Sequence, residues 1–471
     1  MIKKVLIIVP HEDDEINIAG TIIDQFHKMK ITIDIIYVTN GDFYPNKTQK
    51  RIREAMNVAK DMQVNKLYFL GYGDRFCDKH IYPGDKNEVV TSKAGYNETY
   101  GIEGIIDYRY LVDGVHSEYK LSNIKKDMHD CILQIRADLI ICVDFDDHPD
   151  HRMVSLIFEE VMKKVIVKDD YKPLILKKFA YAGVWEGEHD YFISPMKPTC
   201  PVANNEEYRK KFWQYNKSDE VRIKVSDTNY QLKFWKTDVY KWLKIYRSQR
   251  AVKHFSSIVN ADALYFFRNS NNLALKADVE VSSGEGKYLN DFKLIDTDDV
   301  CVMESDYMRI VNESTWLPDR EDEDKNIVFK FRKEISVKRI AFYQSLDQNS
   351  GITQLYICFN DNEGKVYKID KNNIRELYFE EENVKLIKIK ILKHYGRFYG
   401  FSEIEVFNCE DGFRWQETPF CPYIPDKATL ESRHMIYEMI YKTCLFFSVY
   451  IPGKFMGYCK KAYKIISKYS I

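Results

Sequence analysis

The sequence predicts an α/β fold, a Rossmann-like and mostly parallel sheet with helices on both faces, followed by a β-sandwich (jelly roll) and a short helical tail. Apolar, β-branched runs alternate with helix-period segments over the first 170 residues, as in doubly wound sheets. Polar clusters follow two of these runs, at the strand ends where open α/β sheets bind ligands. After residue 271 the pattern changes to short alternating strands separated by polar turns, which favours a sandwich.

Four short apolar runs in the first part predict buried parallel strands, and the segments between them predict helices. The predicted strands are residues 4–9, 31–39, 67–70 and 138–144. The predicted helices are residues 16–30, 51–62, 124–136 and the segment after 152, each with apolar residues at helical spacing. Residues 75–120 form a long irregular segment, of a length that is usually functional or flexible within a compact domain.

Composition and cysteine usage narrow the class of protein. The 471 residues predict two or three domains, and the balance of 70 basic against 71 acidic residues gives no global field that would favour nucleic acid. Ten scattered cysteines without a C-x-x-C pair predict a reduced, intracellular protein. The sequence enters the first strand without a signal-peptide pattern, and no stretch reaches the roughly 18 apolar residues of a membrane span. We therefore expect a cytoplasmic location.

The first polar cluster, residues 11–15, comes directly after the strand that Pro10 ends and contains one histidine and four acids. Crowded carboxylates repel one another unless a proton or a cation neutralises them. An acidic turn that caps the next helix would explain the acids alone, because Asp favours the first helical turn. The histidine and the position at a strand end favour a metal site instead.

The second cluster supplies His148 and His151 after the fourth predicted strand. Because the carboxyl ends of parallel strands meet at one edge of a sheet, we expect these side chains to lie near His11 and Asp14. Nitrogen and oxygen ligands with an open position for water are typical of catalytic zinc, whereas structural zinc sites use cysteines. Such a metal activates water and polarises a carbonyl, so the two clusters predict an open hydrolytic site.

The two motifs, His-x-Asp-Asp-Glu at 11–15 and Asp-His-Pro-Asp-His-Arg at 147–152, resemble those of the LmbE-like or PIG-L zinc de-N-acetylases. The resemblance covers about residues 1–270 and implies a deacetylase domain. It implies that Zn²⁺, or another divalent metal such as Fe²⁺, would be held by His11, Asp14 and His151.

The same resemblance implies the catalytic roles. Asp13 would be the general base, and His148, oriented by Asp150, would stabilise the oxyanion and protonate the leaving amine. Two positions depart from the family's pattern. Glu12 stands where the family usually has proline, which removes no ligand, and Tyr246 stands where a histidine often precedes Arg-Ser-Gln.

Lesser matches to the family concern the substrate. Arg51, in an Arg-x-x-Glu match on a helix, and Asp74, in a Leu-Gly-x-x-Asp match after the third strand, would correspond to substrate-contacting positions. A surface arginine and a turn aspartate explain the same two residues equally well.

The segment 272–408 resembles, at both of its ends, a discoidin (coagulation factor V/VIII type C) jelly roll. Its predicted strands include residues 327–332, 337–343, 354–359 and 384–391. Such domains often bind galactose-like glycans or lipid headgroups through loops at one end, so a glycan ligand is expected here. Trp316, Tyr395 and Tyr399 are candidate loop aromatics, although core packing explains each of them too.

The last segment, 409–471, is basic and aromatic and predicted to be helical. From Arg433 onward it contains seven Lys or Arg residues and the single acid Glu438, interleaved with apolar and aromatic residues. One interpretation is a basic amphipathic hairpin on an anionic membrane surface. The other is a helical pair docked on the sandwich or on another subunit.

These features together predict a zinc-dependent hydrolase that removes the N-acetyl group from a GlcNAc-like sugar. The predicted substrate is a lipid- or nucleotide-linked glycan precursor or a glycoconjugate, met in the cytoplasm or at the inner face of the membrane. The alternatives are a carbohydrate-binding protein with an inactive deacetylase-like domain, or a metal hydrolase acting on another ester or amide. The expected division is residues 1–270, 272–408 and 409–471.

Overall fold

The computed structural model describes most of the chain up to residue 424. The described residues are 2–74, 88–102, 104–146, 148–180, 199, 215, 217–225, 237–254, 261–297, 300–301, 307–371 and 375–424. The predicted helical part of the tail lies outside the described residues.

Seven strands form the first sheet. They are β1 (Lys4–Val9), β2 (Thr32–Thr39), β3 (Lys66–Tyr72), β4 (Leu139–Val143), β5 (Leu174–Lys178), β6 (Glu220–Lys224) and β7 (Asp262–Arg268). Their order is β3-β2-β1-β4-β5-β7-β6, with β1 to β5 parallel and β7 antiparallel to both of its neighbours. The predicted mostly parallel sheet is confirmed. Its strand order reverses between β1 and β4, and sheets of this class bind ligands at such a switch point.

Helices up to Ile245 connect the strands of the first sheet, and a last helix lies beyond β7. The helices are α1 (Asp14–Ala19), α2 (Ile23–Lys28), α3 (Pro45–Asp61), α4 (Tyr108–Asp113), α5 (Leu121–Ile135), α6 (Pro149–Lys168), α7 (Asp238–Ile245) and α8 (Tyr307–Glu313). α5 packs against α6, whereas α1 and α3 pack against α7. The single helix predicted for 16–30 is interrupted at Gly20, a residue type that disfavours helix interiors. Within the described residues, no helix has the length and apolar character needed to cross a bilayer.

The second sheet is antiparallel and sandwich-like, as predicted. Its strands are β8 (Asp278–Val281), β9 (Asn326–Gln344), β10 (Gly351–Phe359), β11 (Lys365–Lys368), β12 (Glu376–Tyr395) and β13 (Phe401–Phe407). The order is β11-β10-β12-β9-β13, and β8 also pairs with β9. The prediction of separate strands at 327–332 and 337–343 is wrong, because β9 runs through both. Its first half pairs with β8 and its second half with β13, and the polar residues between them are exposed strand.

The apolar core beneath the first sheet also contains side chains from later in the chain. Residues from beyond the predicted boundary at 271 are buried in this core: Leu275, Phe292, Val300 and Phe420. The second sheet has a separate core, which includes Trp316 and Phe401. The predicted domain boundaries stay predictions, and the first core draws on residues from both sides of them.

Residues after the second sheet return to the edge of the first sheet. Strand β6 is the edge strand, and its Lys224 N–H donates to the carbonyl of Cys421 at 2.8 Å. The same strand accepts a second bond, because the Tyr423 N–H donates to the carbonyl of Arg222 at 2.8 Å. Phe420 packs edge-on against Phe26 of α2, with ring centroids 5.7 Å apart. The β6 edge of the first sheet is therefore paired with a segment that follows the second sheet in the sequence.

A buried ion pair joins the two sheets. Arg268, the last residue of β7, places Nη1 3.3 Å from Glu405 Oε1 of β13, and both side chains are almost fully buried. Arg268 Nη2 donates to the carbonyl of Phe292 at 3.1 Å, and the Tyr343 hydroxyl donates to Glu405 Oε2 at 3.2 Å. Burial raises the pKa of Glu405, and Arg268 opposes that rise. The charge of Glu405 therefore depends on Arg268.

The candidate loop aromatics of the sandwich differ in exposure. Trp316 is fully buried, donates from Nε1 to the carbonyl of Ser283 at 2.8 Å and stacks with Phe401. Tyr399 is buried, whereas Tyr395 is 44% exposed. Core packing therefore accounts for Trp316, and Tyr395 keeps a surface that a ligand could contact.

Replacing Arg268 by Met should lower the free energy of unfolding by about 3–5 kcal/mol, because Glu405 would stay buried without its partner. Urea denaturation followed by circular dichroism measures the change. Arg332→Met is the matched control, since Arg332 and its partner Asp278 are exposed and 3.9 Å apart. The control should change stability by less than about 0.5 kcal/mol. Equal effects in the two variants would contradict the importance of the buried pair.

Candidate active site

A tight acidic turn joins β1 to α1. Its residues His11 to Glu15 are all buried, which is unusual for four consecutive acidic residues. Asp13 has a φ of 112°, a left-handed value that is strained for a residue with a side chain. Its N–H donates to Glu15 Oε2 at 3.0 Å, and the His11 N–H donates to Asp14 Oδ2 at 3.3 Å. The carboxylates of Asp14 and Glu15 therefore accept hydrogen bonds from the backbone of the turn itself.

The second cluster lies where β4 leads into α6. His148 is the N-cap of α6, and its Nδ1 accepts from the Asp150 N–H at 3.2 Å. His151, in the first turn of the helix, is fully buried and places Nδ1 2.8 Å from Asp146 Oδ2. The Ala180 N–H donates to the same Asp146 oxygen at 3.0 Å. Asp146 therefore fixes the orientation of the His151 ring.

The two clusters meet at the switch point of the sheet. One nitrogen from each of His11, His148 and His151 lies within 4.8 Å of the other two. Asp14 Oδ2 lies 3.1 Å from His11 Nδ1 and 3.2 Å from His151 Nε2. Asp150 Oδ2 lies 3.0 Å from His11 Nε2 and 3.9 Å from His148 Nδ1. The structure thus brings the three histidines and two of the carboxylates into one buried group.

This geometry differs in two respects from what the resemblance implies. His148 belongs with His11 and His151 to a group whose nitrogens lie within 4.8 Å of one another, whereas the implied ligand set has Asp14 in place of His148. Asp150, the implied partner of His148, has its carboxylate closer to His11. The ligand set and the individual roles therefore stay predictions.

Acidic neighbours stabilise positive charge at this site. Burial opposes protonation of His11, but the surrounding carboxylates, foremost Asp74, raise its pKa well above the usual value. For His151, burial is likewise outweighed by Asp146 and Asp14, which raise its pKa to about 10. Burial disfavours the charged form of Asp14, yet His151 and His11 hold its pKa well below the usual range. Imidazole nitrogens beside a buried carboxylate suit Zn²⁺ or Fe²⁺, so the residues present fit such an ion.

Two further groups are shifted towards their neutral forms. Burial, with His11 and His151 as neighbouring cations, lowers the pKa of His148 to about 4. Burial and the charge of Asp14 raise the pKa of Asp13 well above its usual value. A raised pKa makes the Asp13 carboxylate a stronger base, and a neutral imidazole can accept a proton. Both groups are therefore suited to proton transfer.

Arg51 and Asp74 lie beside this group and contact each other. Arg51 Nη1 is 3.3 Å from Asp74 Oδ2, and the Arg51 side chain is only 14% exposed, unlike that of an ordinary surface arginine. Asp74 Oδ1 accepts from the Thr39 hydroxyl at 2.6 Å and lies 3.8 Å from His11 Nε2. Their position at the site supports the predicted contact with substrate, which stays a prediction.

The acidic turn is held by a segment more than two hundred residues later. The Tyr246 hydroxyl donates to Glu15 Oε1 at 2.6 Å, and Gln249 Nε2 donates to the carbonyl of Glu12 at 2.6 Å. Ser248 donates from both its N–H and its hydroxyl to Glu54 on α3. The 246–249 stretch, whose role the sequence leaves open, thus supports the turn in this structure.

Two supporting contacts are not predicted from the sequence. The contact of Asp146 with His151 could have been found from the sequence, because Asp146 lies next to the second cluster. Carboxylates commonly bind the ring nitrogen of a ligand histidine that does not face the metal. The contact between Tyr246 and Glu15 could not have been found in this way, since nothing in the sequence around either residue indicates the other.

Comparison with known proteins supports a deacetylase domain in the first part of the chain. Residues 6–162 match the family model described as "PIG-L: GlcNAc-PI de-N-acetylase". A PIG-L-type deacetylase domain, the class that the two motifs indicate, is thereby supported for these residues. No curated protein matches the sequence.

Three solved structures are similar to parts of this chain at low identity. An N,N'-diacetylchitobiose deacetylase from Pyrococcus horikoshii is 14% identical and covers 57% of this chain and 85% of its own, with a TM-score of 0.33. A deacetylase of teicoplanin biosynthesis is 12% identical and covers 56% of this chain and 97% of its own, with a TM-score of 0.33. A family 32 carbohydrate-binding module from C. perfringens is 16% identical and covers 28% of this chain and 94% of its own, with a TM-score of 0.21.

Replacing His11 by Asn should reduce bound metal from about one ion per chain to near zero, because an open site keeps only about three protein ligands. Elemental analysis of protein purified without chelator measures this. The control is His129→Asn, since His129 pairs with Asp169 and Asp130 and not with the site. Full metal content in the His11 variant would contradict a metal site here.

Replacing Tyr246 by Phe should lower the free energy of unfolding by about 1–3 kcal/mol, because Glu15 loses its hydroxyl donor while staying buried. Urea denaturation measures the loss. Tyr44→Phe is the control, since Tyr44 is 57% exposed. If the two variants are equally stable, the Tyr246 hydroxyl does not support the turn.

Proposed function

We propose that this chain is a zinc-dependent hydrolase that removes the N-acetyl group from a GlcNAc-like amino sugar. The observation that carries the proposal is the convergence of His11, His148, His151 and Asp14 within a part of the chain that matches the PIG-L family model. Both the match and the chemistry of the ligands point to the same reaction class.

In this proposal His11, Asp14 and His151 hold the metal, in keeping with their mutual contacts. The bound ion would lower the pKa of a water molecule and polarise the acetamide carbonyl. Asp13 takes the proton of the attacking water, as its raised pKa favours. The proton that Asp13 has taken then passes to the neutral His148, which delivers it to the nitrogen as the C–N bond breaks, and Asp150 orients the imidazole. Acetate and a free amine are the products.

Arg51 and Asp74 contact the sugar in this proposal, because they lie beside His11 at the edge of the buried group. We also propose that the substrate is a lipid- or nucleotide-linked glycan precursor and that the sandwich binds glycan, with Tyr395 as its exposed aromatic. A cytoplasmic location with peripheral membrane contact through the tail belongs to the same proposal and rests on the sequence pattern alone.

Replacing Asp13 by Asn should lower kcat for acetate release by about 100- to 10,000-fold, because the general base is lost. Metal content should persist, since Asp13 is not a proposed ligand. Acetate and amine release from N-acetylglucosamine and its oligosaccharides is the assay, with Asp24→Asn on α2 as control. Full activity of the Asp13 variant would refute the mechanism.

The same assay separates the other functions. A wild-type protein that binds sugar but no metal would be an inactive deacetylase-like domain. Release from acyl or phosphate esters without release from acetamides would indicate another metal hydrolase.

A further inference from the structure

Glu12 is a buried acid that the proposed mechanism does not use. Its side chain is fully buried, and within the described residues neither carboxylate oxygen has a hydrogen-bond partner. Arg51 Nε lies 3.3 Å from Glu12 Oε2. Burying a carboxylate is costly unless a cation lies beside it, so the Arg51 contact is what makes this position tolerable.

The backbone is shaped around this pair. Gly41 has a φ of +62°, and a Cβ there would lie 2.3 Å from Glu12 Oε2 and 2.6 Å from Arg51 Nε. The carbonyl of Gly41 also accepts from Arg51 Nη1 at 3.2 Å. A glycine at the end of β2 thus leaves room for the carboxylate and guanidinium to meet and contributes an acceptor of its own.

Three groups therefore fix the Arg51 guanidinium. Glu12 faces Nε, and the Gly41 carbonyl and Asp74 face Nη1. No described residue contacts Nη2 by a hydrogen bond or an ion pair, and the side chain is 14% exposed. A guanidinium is a rigid planar fork, so fixing Nε and Nη1 also fixes the direction of Nη2.

We propose that Glu12 is a positioning residue, which holds Arg51 so that Nη2 donates a hydrogen bond to a hydroxyl oxygen of the bound amino sugar. This rests on the proposed function, in which Arg51 contacts the substrate. The turn that carries His11 and Asp14 thereby sets both the candidate metal site and a contact to the sugar. A proline, which the resembled family usually has at this position, has no carboxylate to make the contact.

Glu12→Ala should raise KM for N-acetylglucosamine about tenfold or more, the scale of one lost hydrogen bond to a charged group, and leave kcat within about threefold. Glu12→Gln, which keeps an acceptor beside Nε, should stay within about threefold of wild type. Zn²⁺ affinity, measured by titration of the metal-free protein against a competing chelator, should not change in either variant. In an Arg51→Met background, Glu12→Ala should have no further effect on KM.

Several results would overturn the positioning role. These are an unchanged KM in Glu12→Ala, a KM penalty that persists in the Arg51→Met background, or a loss of Zn²⁺ affinity. If Glu12→Ala does not fold, Glu12→Pro replaces it, because the resembled family usually has proline in this turn.

Failure of the proposed function has a different signature. The wild type would then release no acetate, and the comparison would move to calorimetric affinity for N-acetylglucosamine. A tenfold weaker affinity in Glu12→Ala would still support the positioning role. Equal affinities, or no binding by the wild type, would refute it.

Discussion

The Asp14 carboxylate contacts His11 in its own turn and His151 on α6, so a single oxygen joins the ends of β1 and β4. A fully buried acid is tolerated only next to positive charge, and the two histidines supply it. The neighbouring acids Asp13, Glu12 and Glu15 are buried as well, so the same need for positive charge applies to them. In the protein alone, this positive charge comes from Arg51 and from His11 and His151, whose pKa values are raised. A bound divalent ion would neutralise the buried carboxylates further.

The loop that presents the second cluster is held from beyond the first sheet. Arg152 follows His151 on α6, and its Nε donates to the carbonyl of Asp146 at 2.6 Å. Its Nη1 donates to the carbonyl of Val300 at 3.1 Å. The residue that orients His151 is thus tied, through Arg152, to the connection between β8 and β9 of the second sheet. The second half of the chain therefore contributes to the geometry of the site as well as carrying a module of its own.

Sequence patterns predict the parts of this molecule that depend on local periodicity. The buried strands before His11 and His148 are visible as apolar runs, and parallel strands must deliver both residues to one edge. Contacts between distant residues are not visible in this way. Arg268 with Glu405, and Tyr246 with Glu15, are pairs that only the three-dimensional packing defines.

Local pattern also fails where one strand has several partners. The polar residues in the middle of β9 indicate a turn, yet β12 pairs with β9 from Asn326 to Ala341, through that middle, while β8 and β13 pair with its two ends. At Gly20 the error is the opposite one, because the sequence predicts a continuous helix and the structure has a break. In β9 tertiary contacts override the local pattern, whereas at Gly20 the local helix propensity of glycine accounts for the break.

The pairing of residues 421–423 with strand β6 has a consequence for the order of folding. Residues about 200 positions apart form this edge, and such distant pairings close slowly because the intervening chain must first be confined. During synthesis, the first sheet keeps an unpaired edge until residue 423 has left the ribosome. An unpaired strand edge is a template for association with other chains, so the nascent protein passes through a stage in which its first sheet is vulnerable to aggregation.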